Sequence, residues 1–127
     1  MDEKIFKERT KKLAVSILKE VNKLPRSLAT DAIARQIVRS STSIGANYRA
    51  ACRAKSVADM INKLKIVEEE ADETLYWLEL LVEAGLMERD RIAEMYKETN
   101  EILAMTVSSI KTLRTRMPQS KIVNPKS

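Results

Sequence analysis

At 127 residues the chain is long enough to form one domain with its own core, and its single cysteine, Cys52, excludes an intramolecular disulfide. Only 2 Gly and 3 Pro stand beside 32% charged residues, a balance that favours long helices over a sheet with its turns, so the expected class is all-α. A net charge of +5 with no His disfavours the familiar nucleophile–base pairs and makes a polyanion the natural partner to look for.

In chain order, the first helix is expected from about Ile5 to Lys23, because Phe6, Leu13, Ile17, Val21 and Leu24 recur at helical spacing and Pro25 ends the run. The second begins near Ser27 to Asp31, where Ser, Thr and Asp supply capping oxygens, and continues to about Ala54. Its core-facing line is Ile33, Ile37, Ser40, Ile44, Tyr48 and Ala51. Ser56 and Asp59 have capping-box-like spacing and start the third helix, which Gly85 and Leu86 close with a left-handed cap. The fourth carries Ile92, Met95, Thr99, Ile102, Val107, Ile110 and Leu113 on one side. Short links between four amphipathic helices imply an antiparallel up-down four-helix bundle over residues 1–117, followed by a flexible polar tail over 118–127.

The outer side of the second helix carries the main clue to function. At 100° per residue, Arg35, Arg39, Arg49 and Arg53 fall within about 40° of a single line. The small Thr42 and Ala46 complete that line, which runs about 27 Å at ~1.5 Å per residue. Such a stripe is either an ordinary solvated face or a track for a phosphate backbone. Lys55, Lys63 and Lys65 extend the positive field. Within the same helix, Ser40 to Asn47 is rich in small, poor helix formers, which fits a close approach of another backbone, and Gly45 belongs to that packing rather than to a phosphate loop.

The third helix has two apolar stripes. Met60, Leu64, Ala71, Leu75, Leu78 and Val82 form one; Ile66, Trp77, Leu80 and Ala84 gather on the other side. The second stripe either lays Trp77 over a neighbouring helix within the subunit or makes an oligomer interface through Ile66, Trp77 and Leu80. Charge is segregated as well: residues 1–26 carry +4, 27–65 carry +5, 66–104 carry −9 and 105–127 carry +5. That pattern suits attraction of nucleic acid by one surface, or the meeting of opposite surfaces of neighbouring subunits.

Catalytic chemistry is not expected. Glu68, Glu69, Glu70, Asp72 and Glu73 point around their helix rather than converging on one ion, so neither a metal nor another cofactor is implied. Cys52 without a His partner reads as a small buried side chain rather than a nucleophile. No apolar leader follows the charged start, and apolar stretches such as Leu75 to Leu78 fall far short of the ~20 residues that span a bilayer, so a cytoplasmic protein without membrane contact is expected.

The segment RSSTSIGANYRAACRAKSVADMINKLKIVEEEADETLYWLELL, from Arg39 to Leu81, resembles the signature of the bacterial four-helix-bundle proteins encoded within intervening sequences of large-subunit ribosomal RNA genes. Ala50 and Glu69 depart from the residues that family often carries there. The accessory variability determinants of diversity-generating retroelements are similar in architecture, and that likeness implies a homopentamer able to engage a reverse transcriptase and nucleic acid. The expectation is therefore a non-enzymatic homo-oligomer that binds RNA or DNA through its basic surface without sequence readout. The alternative is a scaffold for a partner protein such as a reverse transcriptase.

Overall fold

The computed structural model describes residues 2–117, and the tail expected over 118–127 lies outside them. Four helices follow one another: α1 (Glu3–Asn22), α2 (Leu28–Cys52), α3 (Val57–Glu83) and α4 (Arg89–Arg114), with no strand among the described residues. Three of the four starts have a side-chain cap. Asp2 accepts from the Ile5 N–H at 3.0 Å, Ser27 from the Thr30 N–H at 3.1 Å and Ser56 from the Asp59 N–H at 3.1 Å, so three N-termini gain a side-chain partner for an otherwise orphaned donor. The capping box at α3 is left open, because the Asp59 carboxylate reaches back to the Lys55 N–H at 3.3 Å rather than to Ser56. At the other end of α3, Leu86 N–H reaches the Leu81 carbonyl and Gly85 N–H the Val82 carbonyl, a Schellman closure that requires the positive φ of 72° at Gly85.

The helices form a ring in which α1 packs on α2, α2 on α3, α3 on α4, and α4 returns to α1 along the slightest of the four seams. Cross-helix pairs fix the antiparallel sense: Phe6 stacks edge-on against Tyr48 with ring centroids 4.5 Å apart, Gly45 faces Thr10, and Arg91 near the start of α4 meets Glu20 near the end of α1. The space between them holds one core built around Phe6, Ile17, Ile37, Ile44, Leu78 and Ile102.

Three details of the inward faces depart from the sequence expectation. On α4 the buried residue is Thr106, while Val107 is half-buried. Thr106 donates to the Ile102 carbonyl at 2.7 Å, as Thr99 does to Met95, so neither hydroxyl enters the core unpaired and threonine keeps the inward spacing. On α3 the buried line includes Ile61, Val67, Thr74 and Leu81, while Met60 and Val82 are half-buried, because a helix between two neighbours buries an arc wider than one line. On α2, Ile33 is half-buried, and the helix ends at Cys52, which leaves Arg53 as the C-cap rather than within the last turn.

Candidate nucleic-acid interface

Burial of Ile37, Ser40, Ser41, Ile44, Tyr48 and Ala51 turns the opposite side of α2 outward, and Arg35, Arg39, Arg49 and Arg53 are all exposed there. They do not form one uninterrupted track. Arg39 leans toward α3, where Nη2 donates to Glu73 Oε2 at 3.1 Å and Nη1 lies 3.9 Å from Glu70. The same Glu73 oxygen accepts from the Trp77 indole N–H at 3.0 Å. Two carboxylates of α3 therefore lie against the stripe at Arg39. The two carboxylates lie 31 and 34 residues further along the chain, and only the α2–α3 packing brings them alongside.

Glu70 is an unusual member of this cluster. One carboxylate oxygen, Oε1, is buried without a hydrogen-bond partner. Burial pushes the Glu70 pKa above its ordinary value, and the Arg39 charge opposes that rise while Glu73 and Glu69 add to it. Beneath it, Thr74 donates to the Glu70 carbonyl at 2.8 Å, and the Ser40 and Thr74 hydroxyls are hydrogen-bonded to each other across 2.8 Å.

Arg49 leans the other way, toward α1. There the α1–α2 seam opens into a groove of about 550 Å³ flanked by Lys4, Lys7, Lys11 and Arg49. Thr42, Gly45 and Ala46 make its floor. A Cβ placed on Gly45 would stand 3.2 Å from Thr10 Oγ1, so the absence of a side chain is what lets the two helices close beneath the groove. Lys4, Lys7 and Lys11 recur at helical spacing in the sequence and could have been read as a second basic line. Only the α1–α2 packing sets that line opposite Arg49.

The remaining cations scatter. Lys55 is exposed in the link between α2 and α3, and Lys63 is half-buried on α3. Lys65 does not extend the α2 stripe: it lines the α3–α4 cleft with Glu68, Glu69, Lys111 and Arg114, because its position on the α3 wheel faces α4. Of the second apolar stripe, Trp77 packs onto the core, its ring edge-on to Tyr76 at 5.0 Å, while Ile66 and Leu80 are half-buried on the same flank. Among the described residues no cluster of three metal-ligating side chains occurs, and no helix is long and apolar enough to cross a membrane. Burial pushes the Cys52 thiol pKa up, with the nearby Tyr48 hydroxyl opposing the shift, so the sulfur stays protonated at neutral pH.

Comparison with known proteins agrees with this architecture. The sequence profile described as 23S rRNA-intervening sequence protein matches residues 2–108. A solved structure of a protein of unknown function from the S23 ribosomal protein family of Bacteroides thetaiotaomicron is 39% identical, with a TM-score of 0.80 over 87% of this chain and 99% of that one. Among curated proteins none matches. A profile that spans all of α1 to α3 and most of α4, together with a relative of this identity and near-complete coverage, places the chain in the 23S rRNA-intervening sequence protein family.

Proposed function

We infer that this protein is a non-enzymatic homo-oligomer that binds RNA or DNA through the outer face of α2, largely without regard to sequence. The observation that carries the reading is that Arg35, Arg49 and Arg53 stand exposed on one face, with no carboxylate within ion-pair distance among the described residues. Arg39, held by Glu73 and Glu70, joins them as a contact that must first exchange one anionic partner for another. Lys55 adds charge at the end of the stripe, and Lys63 stands on the neighbouring flank of α3. The family's name records a link to ribosomal RNA sequence, which makes RNA the first probe to try. Assembly rests on the half-buried flank of Ile66, Trp77 and Leu80 and on the opposite charges of residues 27–65 and 66–104, and a second copy of this chain is its occupant. Likeness to the retroelement accessory proteins makes five copies the number to test.

The decisive comparison is between two variants that each remove three cations. Replacing Arg35, Arg49 and Arg53 by Gln should weaken RNA and duplex DNA binding, measured by fluorescence anisotropy, far more than replacing Lys111, Arg114 and Arg116. Each lost phosphate contact should flatten log affinity against log salt by about 0.9 for duplex DNA, or about 0.7 for a single strand. Equal losses would reduce the protein to a generic polycation. Unchanged affinity in both would favour the partner-scaffold reading, and absence of binding by the parent at low salt would end the nucleic-acid reading altogether.

A further inference from the structure

We propose that the α1–α2 groove is the seat of the sugar–phosphate backbone of a duplex, so that double-stranded nucleic acid is preferred over a single strand. The inference rests on the nucleic-acid reading above and goes beyond it by naming the residues that seat the ligand and its strandedness. Four cations, Lys4, Lys7, Lys11 and Arg49, flank a groove whose lining includes one carboxylate, Glu8. Along α1 the three lysines cover about 10 Å, on the order of the axial rise of three phosphates of one strand. Arg49 stands across the groove from them on α2.

Two features of the lining decide what kind of strand fits. First, the floor is low: Gly45 and Ala46 have little or no side chain, and a Cβ at Gly45 would crowd Thr10 at 3.2 Å. A backbone can therefore settle between the cations. Second, the lining contains no aromatic side chain on which an unstacked base could lie. The Thr42 hydroxyl is directed to its own helix, donating to the Val38 carbonyl at 2.7 Å. The donors left for a ligand are ammonium and guanidinium groups, which suit phosphate and carry no base readout. Lys7 is held by Glu3 at 3.0 Å, an exposed pair that is weak enough to yield to a phosphate.

The probes are a fluorescent duplex DNA of about 20 base pairs and a single strand of the same sequence, titrated at about 50 and 200 mM salt. The parent should bind the duplex at least about threefold more tightly than the strand. Replacing Lys4, Lys7 and Lys11 by Gln should lower the duplex salt slope by about 2.7, the sum for three lost phosphate contacts. Ala46 is exposed and helical, so Ala46→Glu leaves the fold intact and sets a carboxylate on the groove floor; it should weaken duplex binding by about tenfold, while Ala46→Gln, which fills the floor to the same extent without adding charge, should weaken it clearly less. Equal losses from Ala46→Glu and Ala46→Gln, an unchanged salt slope in the lysine variant, or tighter binding of the single strand would each overturn the proposal. So would a change of oligomeric mass in Ala46→Glu, which would make the groove a contact between copies. A parent that binds both probes, with groove variants that behave like it, defeats this inference alone. A parent that binds neither of these, nor the RNA probe at low salt, defeats the nucleic-acid reading as well.

Discussion

Glu70 shows how a single side chain can set a pH response. Its Oε1 is buried without a partner, and burial raises its pKa above the ordinary 4.5, so the folded chain holds this proton more firmly than the unfolded one. Stability therefore falls as pH rises from about 4.5 through the raised value, because ionisation is resisted only in the folded state. Glu70→Gln removes that loss. Its melting temperature should exceed the parent's at pH 7, and the difference should vanish below pH ~4, where both side chains are neutral. A variant that melts below the parent at pH 7 would show that the attraction of Arg39 outweighs the burial penalty.

Among the elements, α1 depends most on side-chain chemistry, because its seam with α4 is the slightest in the ring. Arg9 bridges that seam: Nε and Nη2 donate to the two oxygens of Glu98 at 2.8 and 2.7 Å, and Nη2 also reaches Glu101 at 2.8 Å. The Arg9 hydrogen bonds hold the Glu98 pKa below its ordinary value against the effect of burial. Stability from this pair is thus present above pH ~4.5 and is lost as pH falls through the lowered value. Arg9→Gln should cost about 1–2 kcal/mol at pH 7, discounted for partial exposure, and lower the melting temperature by roughly 4–10 °C. Thermal melts at pH 3 should show a smaller gap between variant and parent; an equal gap there would mean that Arg9 acts through its packing against Met105 rather than through its charge.

For the whole molecule, the segregation of charge and the half-buried flank of α3 are what the proposed assembly rests on. Light scattering on the parent should return about five subunit masses, the number proposed above from the likeness to the retroelement accessory proteins, in a closed ring of identical contacts. Leu80→Glu tests the contact with less risk to the fold than Trp77→Glu, since Trp77 packs onto the subunit core while Leu80 is only half-buried. If the flank joins copies, a charge placed there is repeated at every contact and the mass should fall toward one subunit with helicity unchanged. An unchanged mass in Leu80→Glu would return that flank to the surface of a single bundle.

The four helices and several of their ends were legible in the sequence because they follow from local chemistry: capping oxygens from Ser27 onward and at Ser56, Gly85 as the left-handed residue after α3, Pro25 beyond α1, and apolar residues at a period that only a helix brings to one face. The exposure of Arg35, Arg39, Arg49 and Arg53 was legible for the same reason, since the buried residues of α2 fix where its other side points. What those arginines face was not. Glu73 against Arg39, the lysines of α1 across from Arg49, and the turning of Lys65 toward α4 depend on which helices are neighbours and how each is rotated about its axis. Rotation and neighbour choice are set by packing between distant segments, such as Gly45 against Thr10, and no window of sequence contains both partners. The choice of Thr106 over Val107 belongs with them: a hydroxyl that satisfies itself on its own helix can be buried where the pattern of apolar residues alone would place a valine.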